Sequence, residues 1–252
     1  MKSSYIEQLE QRTLLAANPN YIISFYGLGG AGDFGADWLD KTVDDAGAAT
    51  NSVVRKYNED AGGRALKDFL RSADRNRNMR IDKAEVATLN VRVIGYSFGG
   101  VQAANFARYL AKLGQTVKGY LIGQATPIRA LVTLDPVDEP PLKHTAGIPG
   151  NVYNYSNYYQ QKGGDTTIDL YTDPFDIKVD SITVDDPANI KGEPLPTTAR
   201  KSNQVRVDVV YADETVKHEV RDNLNGKLTG RNVNHGTLPF FAYDLAVEDL
   251  IR

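Results

Sequence analysis

The sequence predicts an α/β domain: a mostly parallel sheet with helices on both faces and a long irregular insertion over one edge. Three observations lead there. Short apolar runs rich in β-branched residues alternate with stretches whose apolar residues recur at helical spacing, the pattern of strand–helix–strand units. Two of the runs, Tyr21–Tyr26 (YIISFY) and Asn90–Gly95 (NVRVIG), lead straight into glycine-bearing turns, as strands do at the C-terminal edge of a parallel sheet. The 252 residues are 41% hydrophobic and 24% charged, enough apolar material for one substantial core.

The elements follow in order. Residues 1–20 are polar and weakly patterned and end at Asn18-Pro19-Asn20, so they read as a tail or short amphipathic segment before a domain over 21–252. Tyr21–Tyr26 is a buried strand, followed by the glycine-dense Gly27–Gly35. Ser52–Tyr57 (SVVRKY) is a second strand. Gly62–Ser72 is a helix with Leu66, Phe69 and Leu70 on one face. Asn90–Gly95 is a strand, and Gly99–Leu113 is a helix with Ala103, Ala104, Ala107 and Leu110 inward. Arg129–Leu134 (RALVTL) is the next strand. Residues 136–200 are rich in Pro, Gly, Asp and Tyr with little periodicity, and read as loops and short strands forming a lid or pocket wall. Within them, Asn151–Gln161 holds Tyr153, Tyr155, Tyr158 and Tyr159. Its alternation favours a strand over an aromatic substrate wall. Gln204–Tyr211 alternates as a strand, and Leu238–Ile251 is a closing helix, apolar at Phe241, Leu245 and Leu250.

Composition removes several classes of function. Lys and Arg total 29 against 32 Asp and Glu, a formal net charge of −3 with no basic cluster, which argues against nucleic-acid binding. With no cysteine there is no disulfide, Cys-ligated zinc, iron–sulfur cluster or thiol nucleophile. No run approaches the length of a membrane helix, and the N-terminus lacks the apolar core of a signal peptide. Any histidine chemistry falls to His144, His218 or His235.

The most informative segment is VRVIGYSFGG, Val91–Gly100. Gly95-x-Ser97-x-Gly99 between a strand and an Ala-rich helix suits a serine held on a tight turn, its hydroxyl projecting from the sheet edge. The small residues two before and two after let the backbone cross closely, and the helix N-terminus faces a developing oxyanion. A nucleophilic serine needs a base and an orienting acid. Asp135 ends the next strand on the same rim, where Pro136 stops the ladder. His235, in a late loop ahead of Gly236, is favoured over His144 and His218 because it completes the chain order Ser, Asp, His.

Together, GYSFGG (Gly95–Gly100), TLDPV (Thr133–Val137) and NHGTL (Asn234–Leu238) resemble an α/β-hydrolase of the lipase and esterase type. The resemblance spans most of residues 21–245, with no counterpart for roughly 160–230. It implies Ser97 as nucleophile, Asp135 as acid and His235 as base. It also implies oxyanion donors at the Phe98 N–H and in the loop around Leu28 and Gly29, which resembles the oxyanion loop of that fold. The short stretch before Tyr21 implies a minimal, cutinase-sized sheet. Many members carry the acid after a later strand, which keeps Asp173 and Asp180 as alternatives. The expected activity is carboxylic ester hydrolysis through an acyl-enzyme, without a catalytic cofactor, on a small-molecule or lipid ester. An acyltransferase or peptidase on the same triad and a non-catalytic surface binding module stay as alternatives, and the oligomeric state is left open.

Two further segments stand apart. Residues 74–85, DRNRNMRIDKAE, set Asp74, Asn76, Asn78, Arg80, Asp82 and Glu85 at the oxygen-ligand spacing of an EF-hand or dockerin-type loop, Arg80 through its carbonyl. Met79 stands where that loop has glycine, and three arginines dilute the negative field. A structural calcium loop and a plain polar connector both remain open. LEQRTLLA (Leu9–Ala16) resembles the LEPR-x-LLA segment of certain bacterial surface and exported proteins, with Gln11 at the usual Pro. That implies export or surface display, with a cytoplasmic location open beside it.

Overall fold

Three of the inner strands of the main sheet are largely apolar because helices cover both of their faces. In the computed structural model, residues 19–27, 34–58, 61–137, 147–161, 166–172, 177–184, 195–206, 215–220, 224–228 and 233–252 are described. The chain runs β1 (Asn20–Phe25), α1 (Phe34–Thr50), β2 (Val53–Tyr57), α2 (Gly62–Ala73), β3 (Arg80–Ile81), α3 (Lys83–Val86), β4 (Asn90–Tyr96) and α4 (Phe98–Leu110). It continues through β5 (Thr116–Val117), β6 (Tyr120–Ile122), β7 (Ile128–Leu134), β8 (Val152–Tyr159), β9 (Thr166–Thr172) and β10 (Ile177–Val184). It ends with β11 (Lys201–Arg206), β12 (Thr215–Val220), β13 (Leu224–Leu228), α5 (Leu238–Phe241) and α6 (Tyr243–Ile251).

The main sheet has six strands in the order β11-β8-β7-β4-β1-β2, and every neighbouring pair is parallel. This is the α/β architecture the sequence predicts. On one face α2 and α4 bury Leu66, Phe69, Leu70, Phe106 and Leu110 against Phe25, Val93 and Leu131. The Phe106 ring lies 5.8 Å from Phe25 and 5.6 Å from Phe69. On the other face α1, α5 and α6 bury Leu39, Val43, Leu238 and Leu250 against Ile22, Ile94 and Val132. Trp38 there meets Phe240 edge-on at 4.7 Å.

Several elements differ from the sequence reading. Helix α1 was not anticipated. Ala36, Leu39, Val43 and Ala46 give it a buried stripe at helical spacing, but the adjoining glycine run masks the pattern. The closing helix is broken at Ala242 (φ −90°, ψ 0°), which rotates its buried face. Leu245 is therefore exposed and Phe241 only half-buried, while Leu238, Phe240, Ala246 and Leu250 are inside.

The insertion is more regular than its composition predicts. Its tyrosine segment is β8, an inner strand of the main sheet with Tyr155 and Tyr158 buried, so it does not lie over an edge. Strands β9, β10, β12 and β13 make a four-stranded antiparallel sheet in the order β10-β9-β13-β12. The strand read at Gln204–Tyr211 begins three residues earlier, as β11, and residues 207–214 lie outside the described set. So does the LEQRTLLA segment. Strands β3, β6 and β5 form a third small sheet. Among the described residues, no helix is long and apolar enough to cross a membrane.

Candidate active site

Parallel register brings four strand ends to one rim. Phe25 lies opposite Gly95, Tyr96 opposite Leu134, and Leu134 opposite Tyr158, so β1, β4, β7 and β8 finish together. From β1 the chain crosses to β2 on one side and β4 lies on the other, so the strand order reverses between β1 and β4, the kind of switch point at which open α/β sheets place ligands.

Ser97 sits at this switch point with φ 58° and ψ −131°, a conformation side-chain-bearing residues seldom adopt. The sharpness of the turn explains its glycines. A Cβ on Gly95 would lie 2.1 Å from the Gly99 carbonyl oxygen, and one on Gly99 would lie 2.2 Å from that of Phe25. Both clashes are with backbone, which has little room to yield. Ser97 is also the residue before α4, yet its side chain caps no helix N–H. Its Oγ lies instead 2.8 Å from His235 Nε2. Gly27, at the end of β1, passes beside it, and a Cβ there would come within 2.7 Å of Ser97 Cβ. Leu28 and Gly29, the next two residues and the predicted oxyanion loop, lie outside the described residues. Phe98, predicted as the other donor, is the first residue of α4.

Asp135 follows β7 with φ 47° and is wholly buried. Its backbone N–H donates to Tyr158 O at 2.6 Å. Its Oδ2 lies 2.6 Å from His235 Nδ1. An ionised carboxylate only accepts, so Nδ1 carries the proton and Nε2 is left to accept from Ser97. Ser97 and His235 are 7% and 8% exposed, so the three groups meet almost out of water.

The His235 turn is tied by its neighbours. Thr237 N–H donates to Asn234 Oδ1 at 2.9 Å, and Asn234 N–H donates to Thr237 Oγ1 at 3.1 Å. The Tyr96 ring stacks on the imidazole at 5.0 Å and 27°, and its hydroxyl donates to His235 O at 3.1 Å. Beneath the rim, burial and then the Asp249 hydrogen bond push the Tyr158 phenol up. It stays protonated and donates to Asp249 Oδ2 at 2.6 Å.

The three residues predicted as nucleophile, acid and base are thus within hydrogen-bond reach in one chain. Of the alternatives, His144 and Asp173 lie outside the described residues, and His218 and Asp180 lie on β12 and β10 with their side chains outside them. Gln160 and the contacts of Tyr96 were not picked out by sequence, and the Asn234–Thr237 pair appeared there only as part of the NHGTL motif, without its hydrogen bonds. Gln160 offered one signal, its place directly after a tyrosine-rich strand.

The 74–85 loop joins α2 to α3. Met79 takes φ 60°, the left-handed turn for which the calcium loop uses glycine. Asp74 and Glu85 are buried, and both accept backbone N–H groups. Asn78 and Met79 donate to Asp74, and Arg75, Asn76 and Asp82 donate to Glu85. Asp82 caps α3 in a capping box with Glu85. Asn76 and Asn78 accept from Asn78 and Arg80 N–H. The donor set is all oxygen and suits a hard cation in kind. Among the described residues, however, no three His, Asp or Glu side chains cluster closely enough to hold a metal by themselves.

No family model matches the chain. It is 33% identical over 100 residues to a multifunctional-autoprocessing repeats-in-toxin protein of Vibrio cholerae, covering 39% of this chain and 2% of that one. It is 35% identical over 74 residues to the protein of the same description from Vibrio vulnificus, covering 29% and 1%. The chain therefore spans a very small part of these relatives' length. Among solved structures, an uncharacterized protein from Pseudomonas aeruginosa overlays with a TM-score of 0.38 at 11% identity, over 97% of this chain and 48% of that one. Phospholipase PlaB from Legionella pneumophila, in complex with thio-NAD, overlays with a TM-score of 0.33 at 12% identity, over 92% and 61%. Overlays this loose assign no function.

Proposed function

We propose that this protein is a serine hydrolase of the α/β-hydrolase type that cleaves carboxylic esters through an acyl-enzyme. One observation carries the reading: the unbroken relay from Ser97 Oγ through His235 to Asp135, at 2.8 and 2.6 Å, on the C-terminal rim of a parallel sheet.

In the proposed reaction His235 Nε2 takes the Ser97 proton as Oγ attacks the ester carbonyl. The tetrahedral oxyanion forms near the start of α4, where the Phe98 N–H and the helix dipole favour negative charge. A second donor from the loop at Leu28 and Gly29 belongs to the proposal. Nε2 then gives its proton to the departing alcohol, and the C–O bond breaks. Water attacks the acyl-enzyme by the same route in reverse, releasing the acid and restoring Ser97. Asp135 holds the Nδ1–H tautomer throughout and stabilises the imidazolium. A small-molecule or lipid ester is the proposed substrate, and no cofactor enters these steps.

Hydrolysis of short- and long-chain p-nitrophenyl esters by the wild type and Ser97→Ala tests this. Turnover and fluorophosphonate labelling by the wild type, both lost in Ser97→Ala, is the expected result. A wild type that neither turns over nor labels sinks the hydrolase reading and leaves a binding module on the same fold.

A further inference from the structure

Among the described residues, the carboxylate of the triad acid is held outside the relay by one residue, Gln160. Gln160 is the first residue past β8 and is wholly buried. Its backbone N–H donates to Asp135 Oδ1 at 2.9 Å. Its side-chain Nε2–H donates to Asp135 Oδ2 at 3.1 Å, the same oxygen that faces His235 Nδ1. The amide orientation is forced, because the reverse would set Oε1 against an accepting carboxylate. With Tyr158 O accepting from the Asp135 N–H, the end of β8 grips both the backbone and the carboxylate of this residue.

The geometry has a chemical consequence. A carboxylate turns easily about its Cβ–Cγ bond, since that torsion is broad. Wholly buried, Asp135 is held by protein donors and not by bulk solvent. The Gln160 backbone N–H pins one oxygen, and the Nε2–H pins the other and fixes the plane. What remains on Oδ2 is a lone pair aimed at His235.

We propose that Gln160 is a positioning residue, its side-chain amide fixing the plane of the Asp135 carboxylate so that His235 presents Nε2 to Ser97. This rests on the ester hydrolase reading above. Gln160 touches no reacting atom and acts through Asp135. Misplacing a reacting group by about 1 Å can cost about a hundredfold. Here the backbone donor survives every substitution but proline, so the loss is set at about tenfold.

Gln160→Met keeps the length of the side chain and removes its donor. The measurement combines kcat and KM on a p-nitrophenyl ester, the fluorophosphonate labelling rate constant and the fraction of sites labelled. The expected result is kcat and labelling rate both down about tenfold per labelled site, KM within about twofold, and full labelling. An unchanged rate per labelled site with fewer sites labelled overturns the proposal, because Gln160 would then only support folding. A raised KM with unchanged kcat also overturns it, placing Gln160 on the substrate. If Gln160→Met does not fold, Gln160→Asn, whose amide falls short of Oδ2, is read by the same criteria. Wild type against Ser97→Ala keeps the two readings separable. An inactive, unlabelled wild type fails the hydrolase and this proposal together, whereas an active wild type with an unaffected Gln160→Met fails this one alone.

Discussion

Replacing Asp135 by asparagine tests the relay at its least accessible point, and the structure dictates how the new amide must sit. Among the described residues, every group facing the carboxylate is a donor: His235 Nδ1–H and Gln160 Nε2–H at Oδ2, and Gln160 N–H at Oδ1. An asparagine NH₂ at the Oδ1 position would meet a backbone N–H at 2.9 Å that cannot turn away. The NH₂ therefore takes the Oδ2 position. There the Gln160 amide can flip to offer its oxygen, and the imidazole can shift its proton to Nε2. Hydrogen bonds survive in number and the fold should stand. The cost is chemical: Nε2 now carries a proton toward Ser97 Oγ and cannot accept one. A wrong tautomer of this kind is worth about 10⁴ in turnover, or about 5.4 kcal/mol at 1.36 kcal/mol per decade. The assay is kcat for Asp135→Asn against wild type, with thermal melting as a fold control and imidazole nitrogen NMR to read which nitrogen is protonated. A folded Asp135→Asn within tenfold of wild type would refute the reasoning and return the acid's role to Asp173 or Asp180.

Three other outcomes are expected. Arg92 is 3% exposed on β4, and its Nε and Nη1 have no hydrogen-bond partner among the described residues. Burial, then Arg129 nearby, lower its proton affinity. Arg92→Met should therefore stabilise by about 1 kcal/mol or more, a rise of about 2–4 °C in melting temperature, and a fall would reveal an anionic partner. Burial raises the Asp45 carboxyl, but hydrogen bonds from Tyr243 and Lys41 outweigh it and leave the pKa below its usual value. A carboxyl held low stabilises the fold above its unfolded pKa and loses that contribution as pH falls through the folded one. The melting gap between wild type and Asp45→Asn should therefore close below about pH 4, and a gap constant down to about pH 2 would contradict the assignment. If the 74–85 loop takes calcium with the affinity of an extracellular module, Kd about 1 mM, then 10 mM calcium adds about 1.4 kcal/mol, about 3–5 °C in melting temperature over chelator. Equal melting with calcium and with chelator would make the loop a hydrogen-bonded connector.

What was legible in the sequence divides by the range of the interactions involved. Gly95, Ser97 and Gly99 lie within five residues, so their spacing shows in the sequence, although only the Gly95 clash, with Gly99 O, is local and the Gly99 clash is with Phe25 O of the neighbouring strand β1. The pattern could therefore be read without knowing the fold. Three inner strands, β1, β4 and β7, were visible for a similar reason, because burial on both faces makes them largely apolar. Asp135 and His235 were recoverable because the chemistry needs an acid and a histidine, and the chain offers few places on the rim for either. Nothing local revealed that the tyrosine strand runs inside the sheet. Its alternation is that of any half-buried strand, and its place between β7 and β11 depends on pairing across twenty residues or more.

Gln160 shows where that limit falls at the site itself. Nothing in Tyr158-Tyr159-Gln160-Gln161 separates Gln160 from Gln161 as a polar residue ending a strand. Register separates them. With Leu134 paired to Tyr158, the residue two past Tyr158 arrives beside the residue one past Leu134, and Gln160 meets Asp135 with both its donors. A slip of one residue would bring Gln161 to that position and turn every side chain of β8 to the opposite face, moving Tyr155 and Tyr158 out of the two cores they fill. The packing of those tyrosines is thus what selects which glutamine holds the triad acid. An alteration in the β8 core should accordingly reach the site through Asp135 before it reaches Ser97.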